Sequence, residues 1–473
     1  MRELRVTMNT GAEMVLGEGV VETLRTSLRG QLLHAGDAGY DAARTIWNGM
    51  IDRRPALIAR CAGVADVIHC VNFARTHQLL LAVRGGGHNV AGNAVCDGGL
   101  MLDLSGMKSV HVDPVRRTAR AEPGLTWGEF DHETQAFGLA TTGGQISTTG
   151  IAGLTLGGGW GYMARRHGLA ADNLLSVDMV MANGQFLTAS ATEHADLFWG
   201  VRGGGGNFGV VTSFAYQLHP VGPVLAGVVI HPFAQAQAVL RFFRDFTRSA
   251  PDELASGAVC ITLPDGTPVV GIVVCYNGPL EVGEQVLQPL RAFGTPLADQ
   301  IGVMPYTAAQ KLVDAFYPPG LQQYWKASFL REISDAAIDT IATYCAQRPS
   351  PICHVVLEHT LGGAVSRVDR EATAFNHRDV QYSFTSLGVC TDPAEAAKCV
   401  RWARQCWEAM QPFATGGVYV NYLGQEADEG AERLKAAYGP EKYQRLVALK
   451  NQYDPTNLFR LNQNIKPTRT ATQ

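Results

Sequence analysis

The sequence contains little charge, and the two signs nearly cancel. Only 17% of its residues are charged, and 39 Lys+Arg against 43 Asp+Glu leave a formal net charge of −4. Proteins that bind nucleic acid or acidic membrane surfaces usually carry a clear excess of basic residues. The composition therefore argues against both kinds of partner, while a hydrophobic content of 46% is typical of a globular protein.

The sequence also contains no segment typical of a targeting signal or a membrane-spanning helix. The N-terminal stretch has neither the apolar core nor the cleavage site of a secretory signal. No uncharged apolar run reaches the roughly 18 residues that a membrane-spanning helix needs. The ten cysteines are scattered and form no C-x-x-C pair, which disfavours a disulfide scaffold and a structural metal site. We therefore expect a reduced, cytoplasmic protein that binds no metal.

Glycine is what the sequence has in excess. It accounts for 52 of 473 residues, about 11% against an average of roughly 7%. Four clusters contain much of this excess: 84–89 (RGGGHN), 143–144, 150–161 and 203–209. The first follows the strand-like run LLLAV, so its backbone N–H groups are free of side chains and suited to a pyrophosphate. Any one cluster is explained by ordinary turns, but four together predict a bound ligand.

Two common phosphate-binding motifs do not explain these glycines. The P-loop pattern G-x-x-x-x-G-K-[ST] does not occur. Gly204, Gly206 and Gly209 match G-x-G-x-x-G, but that motif should follow a strand and open a helix. Here it follows the helix-like EHADLFWGVR and opens the strand-like VVTSFAYQL. A Rossmann domain is therefore disfavoured.

The secondary-structure pattern changes near residues 219–223 (HPVGP). Before this point, short apolar runs predict strands joined by tight turns, with ADVIHCVNFARTH and LTWGEFDHETQAFG as helices. After it, longer amphipathic helices such as ISDAAIDTIATYCAQ and PAEAAKCVRWARQCWEAM alternate with strands such as GAVCITLP and ICHVVLEHTL. The tail AERLKAAYGPEKYQRLVALKNQYDPTNLF is predicted to be helical up to Pro455.

Four ordered motifs identify a family resemblance: RGGGHNVAGNAVCDGGLMLDLSGM, GIAGLTLGGGWGYMARRHGLAADNLLSVDMV, DLFWGVRGGGGNFGVVTSF and YDPTNLFRLNQNIKP. Over roughly residues 45–467 the chain resembles the berberine bridge enzyme-like flavoproteins of the vanillyl-alcohol oxidase and p-cresol methylhydroxylase superfamily, in the layout of bacterial members of the hydroxynicotine oxidase type. The resemblance implies an α+β fold, with a two-part FAD-binding domain of the p-cresol methylhydroxylase type and a substrate domain whose antiparallel sheet is backed by helices. The expected units are an N-terminal segment joining the FAD domain (1–51), the FAD-binding domain (52–222), the substrate-binding domain (223–430) and a C-terminal segment returning to the FAD domain (431–473).

The resemblance also implies FAD held by a covalent bond to His88. In this family the histidine of R-G-G-G-H is attached to the flavin, and neutral imidazole is a nucleophile suited to that role. The other positions that match the family's FAD contacts are Arg84, Gly85, Gly86, Gly87, Asn89, Ser147, Thr148, Gly150, Gly153, Gly161, Asn207, Val210, Val211, Asn462 and Asn464.

Two nearby positions bear on the reactivity of the flavin. Many relatives attach FAD a second time through a cysteine, but that position is Ile146 here, and the nearest cysteine, Cys96, belongs to another motif. A single link through His88 is therefore expected. Three residues further on is the family's oxygen gate, where valine accompanies oxidases and bulkier residues accompany dehydrogenases. Thr149 is close to valine in shape, which favours reaction with dioxygen.

Tyr419 is the strongest candidate for a catalytic base. It lies in VYVNYLG, which resembles the family's Y-x-N-Y strand, where the first tyrosine faces the flavin. Alternation along a strand would place Tyr419 and Asn421 on one face and Tyr422 on the other. A core aromatic residue is the alternative interpretation of Tyr419.

Two further side chains are candidates on the substrate side. Glu358, in HVVLEHTLGG, stands where bacterial relatives carry an active-site glutamate, and burial would raise its pKa toward neutrality. A salt-bridged or edge-strand carboxylate is the alternative. Lys326, in QQYWKASFL, would hold an anionic substrate or lower a neighbour's pKa, or else be solvated. The position of the base of plant relatives is occupied by Ser383.

The sequence thus predicts an FAD-dependent oxidase that takes a hydride from a small alcohol, amine or phenolic substrate and passes electrons to O2, giving H2O2. The alternatives are a dehydrogenase, an oxygenating flavoenzyme or a sugar oxidase on the same scaffold. A binding protein without turnover is disfavoured because His88 is present. Neither the substrate nor the oligomeric state follows from the sequence, since residues 223–420 match no known specificity pattern.

Overall fold

The computed structural model describes residues 4–424 and 429–468. Its N-terminal part is a small α/β unit with the following elements: β1 (Leu4–Thr7), β2 (Glu13–Leu16), α1 (Glu18–Ser27), β3 (Gln31–Leu33), α2 (Tyr40–Arg44), β4 (Leu57–Arg60), α3 (Val64–Thr76), β5 (Leu81–Arg84) and β6 (Leu100–Asp103). Strands β4, β6 and β5 pair in parallel, and β3 joins β4 in antiparallel orientation. Leu57, Ile58 and Ala59 are all fully buried, as expected for a parallel strand covered on both faces.

The second part is built on a five-stranded antiparallel sheet. Its elements are β7 (Val110–Asp113), β8 (Thr118–Ala121), α4 (Trp127–Gln135), β9 (Leu139–Ala140), α5 (Ile151–Leu156), α6 (Ala164–His167), β10 (Leu174–Met181), β11 (Phe186–Ser190), α7 (Ala195–Val201), β12 (Gly209–Gln217) and β13 (His219–Pro220). The strand order is β11-β10-β12-β8-β7. Helix α4 begins at a capping box formed by Thr126 and Glu129. The G-x-G-x-x-G segment lies between α7 and β12, as predicted.

The third part is an eight-stranded sheet with helices on one face. Its elements are β14 (Val224–Pro232), α8 (Ala236–Thr247), β15 (Leu254–Thr262), β16 (Pro268–Tyr276), α9 (Leu280–Ala292), β17 (Ala298–Asp299), β18 (Gly302–Met304), α10 (Tyr306–Ala309), β19 (Gln322–Leu330), α11 (Asp335–Ala346), β20 (His354–His359), α12 (Gly363–Arg367), β21 (Tyr382–Cys390) and α13 (Ala396–Met410). The strand order is β17-β14-β16-β15-β20-β21-β19, with β18 also on β14, and all these pairs are antiparallel. Phe243 of α8, Ile341 of α11 and Trp402 of α13 pack into one core with the sheet. The expected antiparallel sheet backed by helices is confirmed.

The C-terminal segment contains two helices, α14 (Ala431–Tyr438) and α15 (Pro440–Tyr453), where the sequence predicted continuous helix. The break has a local cause, because Gly439 has a φ of 73° and Pro440 then begins the second helix. Leu446 joins the core of the second part, and Phe459 joins the core of the first. This segment therefore packs on both glycine-rich parts. No helix within residues 4–424 and 429–468 is long and apolar enough to cross a membrane.

Candidate active site

A large cavity lies where the glycine-rich loops face the eight-stranded sheet. Its volume is about 600 Å³. The loop after β5, the segment 144–156, the start of β12 and residues 459–463 form one side, and one face of the eight-stranded sheet forms the other. All three parts of the fold therefore contribute to one site.

The glycine loops contact each other backbone to backbone. A Cβ atom on Gly86 would lie 2.5 Å from the Cα atom of Gly150, and one on Gly85 would lie 2.9 Å from the carbonyl oxygen of Pro123. These approaches leave no room for side chains. The wall here is bare backbone, which lets phosphate groups approach main-chain N–H groups closely.

His88 ends the first glycine loop and lines the cavity. Its ring stacks on Trp47, with the ring centroids 4.0 Å apart. Its Nε2 atom is buried and has no hydrogen-bond partner among the described residues. Because burial lowers the pKa of His88 to about 4, the ring is neutral at pH 7. A neutral imidazole whose second nitrogen has no hydrogen-bond partner is suited to forming a bond with a bound group.

The predicted FAD contacts separate into two sets. Those that line the cavity are Gly85, Gly86, Gly87, His88, Asn89, Gly150, Gly153, Val210, Val211 and Asn462, together with the predicted oxygen gate Thr149. Those that do not line it are Arg84, Ser147, Thr148, Gly161, Asn207 and Asn464.

The side chains of Arg84 and Ser147 form hydrogen bonds inside the protein, and their assignment as FAD contacts stays a prediction. The Nη2 atom of Arg84 lies 2.6 Å from the carboxylate of Asp103, and Nη1 donates to the carbonyl oxygen of Ala43 at 2.5 Å. These bonds hold β5 to β6 and to α2. The hydroxyl of Ser147 donates to the carboxylate of Asp314 at 2.5 Å, which attaches the glycine-rich part to the third part of the fold.

The other four positions also stay predictions, and their surroundings differ. Asn207 is fully buried, and its Oδ1 accepts the backbone N–H of Ile465 at 2.9 Å, so it anchors the C-terminal segment. Thr148 is exposed to solvent. A Cβ atom on Gly161 would clash with the carbonyl oxygen of Gly143. Asn464 is half-buried and lies outside the cavity wall.

The sheet contributes one of its two faces. His354, Val356 and Glu358 of β20 line the cavity, since alternate residues of a strand share a face. Val355 and Leu357 pack among the helices on the other side. Within residues 4–424 and 429–468, no Lys or Arg lines the cavity, and Glu358 is its only carboxylate.

Glu358 has the environment of a general base. It is 5% exposed, and its carboxyl group accepts hydrogen bonds from Trp160 and Ser383. Burial outweighs these bonds and raises the pKa of Glu358 to about 7. The predicted rise is confirmed, and a carboxyl that titrates near neutral pH is well matched to proton transfer.

The segment around Tyr419 is a 3-10 turn over Val420–Tyr422, so the predicted strand alternation is wrong. Tyr419, Asn421 and Tyr422 all line the cavity. The hydroxyl of Tyr419 accepts the N–H of Gly159 at 3.0 Å and the side-chain amide of Asn421 at 2.8 Å. Burial raises the pKa of Tyr419. The hydroxyl of Tyr419 therefore keeps its proton and can donate it in a hydrogen bond to a group in the cavity. A tyrosine that acts as a base would instead have to lose this proton.

Lys326 does not reach the cavity, which corrects its assignment as a substrate contact. It follows Trp325, which does line the cavity, so alternation along β19 directs Lys326 to the helix-covered face. There its Nζ forms a buried ion pair with Glu429 and lies 4.9 Å from the ring centroid of Trp407. Both the substrate-binding and the solvated interpretations are wrong.

Sequence analysis missed a polar pair on the cavity wall. The hydroxyl of Tyr317 and Nε2 of His354 are 2.9 Å apart, and both residues line the cavity. The sequence contained a sign of His354's position, since His354 is four residues from Glu358 on one strand and therefore lies on the same face. Tyr317 lies in an irregular segment, and no local pattern predicts its position.

Among the described residues, neither a cysteine nor a metal-ligand cluster is found at this cavity. All ten cysteines are free and buried, and none lines it. Ile146 forms part of the wall. In the part of the chain that the structure describes, no group of three or more His, Cys, Asp or Glu side chains is placed to hold a metal ion.

The residues present fit a dinucleotide flavin. The touching glycine loops offer backbone to phosphates, the His88 nitrogen without a partner is placed to bond to a bound group, and the facing sheet supplies a buried carboxyl group beside an apolar wall. Fold and site together define an FAD-dependent oxidoreductase.

Comparison with known proteins supports this class. A family model for an FAD binding domain matches residues 55–190, and a model described as berberine and berberine like matches residues 418–466. The chain is 33% identical to an FAD-linked oxidoreductase of Dictyostelium discoideum over 453 residues, covering 95% of this chain and 97% of the relative. It is 32% identical to (R)-6-hydroxynicotine oxidase of Paenarthrobacter nicotinovorans over 455 residues, covering 93% and 97% of the two chains.

A solved structure extends the similarity to three dimensions. The crystal structure of 6-hydroxy-D-nicotine oxidase from Arthrobacter nicotinovorans superimposes with a TM-score of 0.85 at 31% identity, over 93% of this chain and 98% of that one. The chain belongs to the berberine bridge enzyme-like family of FAD-linked oxidoreductases.

Proposed function

We propose that this protein is an oxidase that carries FAD on a single covalent link through His88. It takes two electrons, as hydride, from a small alcohol, amine or phenolic substrate, with dioxygen as final acceptor. For an alcohol the balance is R2CHOH + O2 → R2CO + H2O2. The observation that carries the proposal is that the unsatisfied, neutral His88 and the neutral-titrating Glu358 line the same cavity.

Bound FAD and the side chains on the cavity wall have separate roles in the reaction. Bound FAD supplies the hydride acceptor and returns the electrons to dioxygen. Glu358 takes the proton from the substrate O–H or N–H. Tyr419 donates a hydrogen bond to the substrate oxygen or nitrogen, and Asn421 positions Tyr419 by donating to its hydroxyl at 2.8 Å. The apolar wall excludes water from the reacting atoms.

Two positions support the single link and the oxidase assignment. Ile146 stands where a second attachment would need cysteine, and it lines the cavity. Thr149 also lines the cavity with a short side chain, which leaves room for dioxygen. A relative of similar length is itself named an oxidase.

Acid denaturation of the purified protein tests the covalent link. The precipitated wild-type chain should be yellow and heavier by one FAD, and the precipitate of His88→Ala should be colourless. His111→Ala, at an exposed histidine, is the matched control and should stay yellow. A colourless wild-type precipitate would refute the link.

Product analysis then separates the oxidase from its alternatives. One H2O2 per substrate oxidised is expected. A dehydrogenase would give little peroxide, and an oxygenating enzyme would incorporate labelled oxygen from O2 into the product. We also propose a cytoplasmic location, supported by ten free, buried cysteines; cell fractionation tests it.

A further inference from the structure

The Tyr317–His354 pair forms a second polar site on the cavity wall. The two residues come from different elements, since His354 begins β20 and Tyr317 follows a 3-10 turn over Asp314–Phe316. Glu358 lies four residues beyond His354 on the same strand, so their Cα atoms are about 13 Å apart. Val356 lies between them and is apolar.

The proton positions in this pair follow from the other ring nitrogen of His354. Nδ1 lies 2.8 Å from the carbonyl oxygen of Ile352, and because a carbonyl only accepts, Nδ1 carries hydrogen. Burial lowers the pKa of His354 to about 4, so the ring is neutral and Nε2 has a lone pair. The hydroxyl of Tyr317 therefore donates to Nε2. Its own oxygen lone pairs remain available as an acceptor.

Tyr317 is also held from the opposite side of the cavity. The indole N–H of Trp47 donates to its carbonyl oxygen at 3.1 Å, and Trp47 stacks on His88. The carboxylate of Asp314 accepts the backbone N–H of Ser147 at 2.8 Å. Because the backbone and the hydroxyl are both fixed, the acceptor is in place before a ligand binds.

The polar groups on the cavity wall determine which kind of ligand the cavity suits. Glu358 and Tyr317 both present acceptors, and no Lys or Arg lines the wall within the described ranges 4–424 and 429–468. At the Tyr317 end of the cavity, a ligand group without a donor would face lone pairs and be left unpaired, and an anion near Glu358 would face a carboxylate.

We propose that Tyr317 and His354 form a substrate-recognition site that accepts a hydrogen bond from an O–H or N–H group of the substrate. The substrate class is then a compact apolar or aromatic molecule with a donor at each end, one for Glu358 and one for Tyr317. The inference rests on the proposed function in assigning this cavity to the substrate.

Two inert probes that differ in one donor test the site. 4-Hydroxybenzamide and 4-methoxybenzamide share the ring and the amide donor, and neither has a C–H bond on a carbon that bears a hydroxyl or amino group, so neither can give up a hydride in the proposed reaction. Calorimetric titration of the FAD-loaded, full-length protein should give about ten-fold tighter binding of the hydroxy compound, which corresponds to about 1.4 kcal/mol. In Tyr317→Phe the two dissociation constants should become about equal.

A second variant separates hydrogen bonding from packing. His354→Leu keeps Tyr317 but removes its acceptor, so the hydroxyl becomes free to donate into the cavity and the preference for the hydroxy compound should disappear. Tyr344→Phe removes a hydroxyl from α11, on the helix-covered side of the sheet, and should keep the wild-type ratio.

Three results would overturn the inference: no discrimination by the wild-type protein, no binding of either probe, or a wild-type ratio retained in both Tyr317→Phe and His354→Leu. Because the titration needs no turnover, a failure of the oxidase proposal would appear separately, as a missing covalent flavin or missing peroxide.

Discussion

Replacing Glu358 with glutamine tests the proposed base directly. Glutamine keeps the length of the side chain and its contacts with Trp160 and Ser383, but it cannot take a proton. A positioned general base contributes roughly 10²–10⁴-fold to rate, so kcat/KM measured by peroxide release should fall by about that factor. The loss corresponds to about 3–5 kcal/mol of transition-state stabilisation.

The pH dependence makes this prediction specific to proton transfer. Because burial raises the pKa of Glu358 to about 7, the carboxylate form predominates only above that pH. Wild-type kcat/KM should therefore rise through about pH 7, and Glu358→Gln should lose this rise. A variant that keeps the rise, or that retains nearly full kcat/KM, would refute the role of Glu358.

The same pKa predicts a stability effect of definite sign. The pKa of Glu358 is raised from 4.5 to about 7 on folding, so its contribution to stability is fully present below pH 4.5 and is lost as pH rises through 7. The loss amounts to about 3 kcal/mol. Glu358→Gln should thus be more stable than wild type at about pH 9, with little difference at about pH 4, in denaturant unfolding. An equal difference at both pH values would contradict the burial argument.

Three further substitutions test individual contacts. Tyr419→Phe removes the donated hydrogen bond and should lower kcat/KM about ten-fold while leaving the pH profile unchanged; a lost pH rise would instead make Tyr419 the base. Thr149→Ile should slow reoxidation of the reduced enzyme by O2 in stopped-flow measurements without slowing reduction by substrate, and equal reoxidation rates would exclude a gating role. Lys326→Met breaks a buried ion pair with Glu429 and should lower the free energy of unfolding by about 3 kcal/mol in denaturant titration, with KM unchanged. The control Lys398→Met, at an exposed pair, should change the free energy of unfolding little. A raised KM in Lys326→Met would instead show that Lys326 contacts the substrate.

Local pattern predicted the glycine loops and the histidine on the glycine-rich side of the cavity. The run of glycines after β5 predicts backbone without side chains whatever the tertiary structure, and His88 follows this run directly in sequence. Amphipathic spacing likewise predicted α11 and α13, since a helix must bury its apolar side. In contrast, the side chains of Arg84 and Asn207 match the family motifs but form their hydrogen bonds inside the protein, because a motif position does not show which way its side chain turns.

On the substrate side, Glu358 and Lys326 show what a strand pattern leaves open. Each lies on a buried strand, and a shift of one residue exchanges the two faces of a sheet. The sequence does not show which face the helices cover, so it could not place Glu358 in the cavity and Lys326 behind it. The turn at Tyr419 was missed for a similar reason, because its packing overrides its strand-like composition.

By itself the sequence determined the glycine loops and the histidine beside them, since these depend on residues close together in the chain, and the resemblance of its motifs to a family implied the α+β fold class. Only the tertiary structure decided the substrate side. The bond between Tyr317 and His354 joins residues 37 apart, and the bond between Ser147 and Asp314 joins residues 167 apart. Such contacts form only when the sheets pack around a common cavity, and no periodicity within one segment records them.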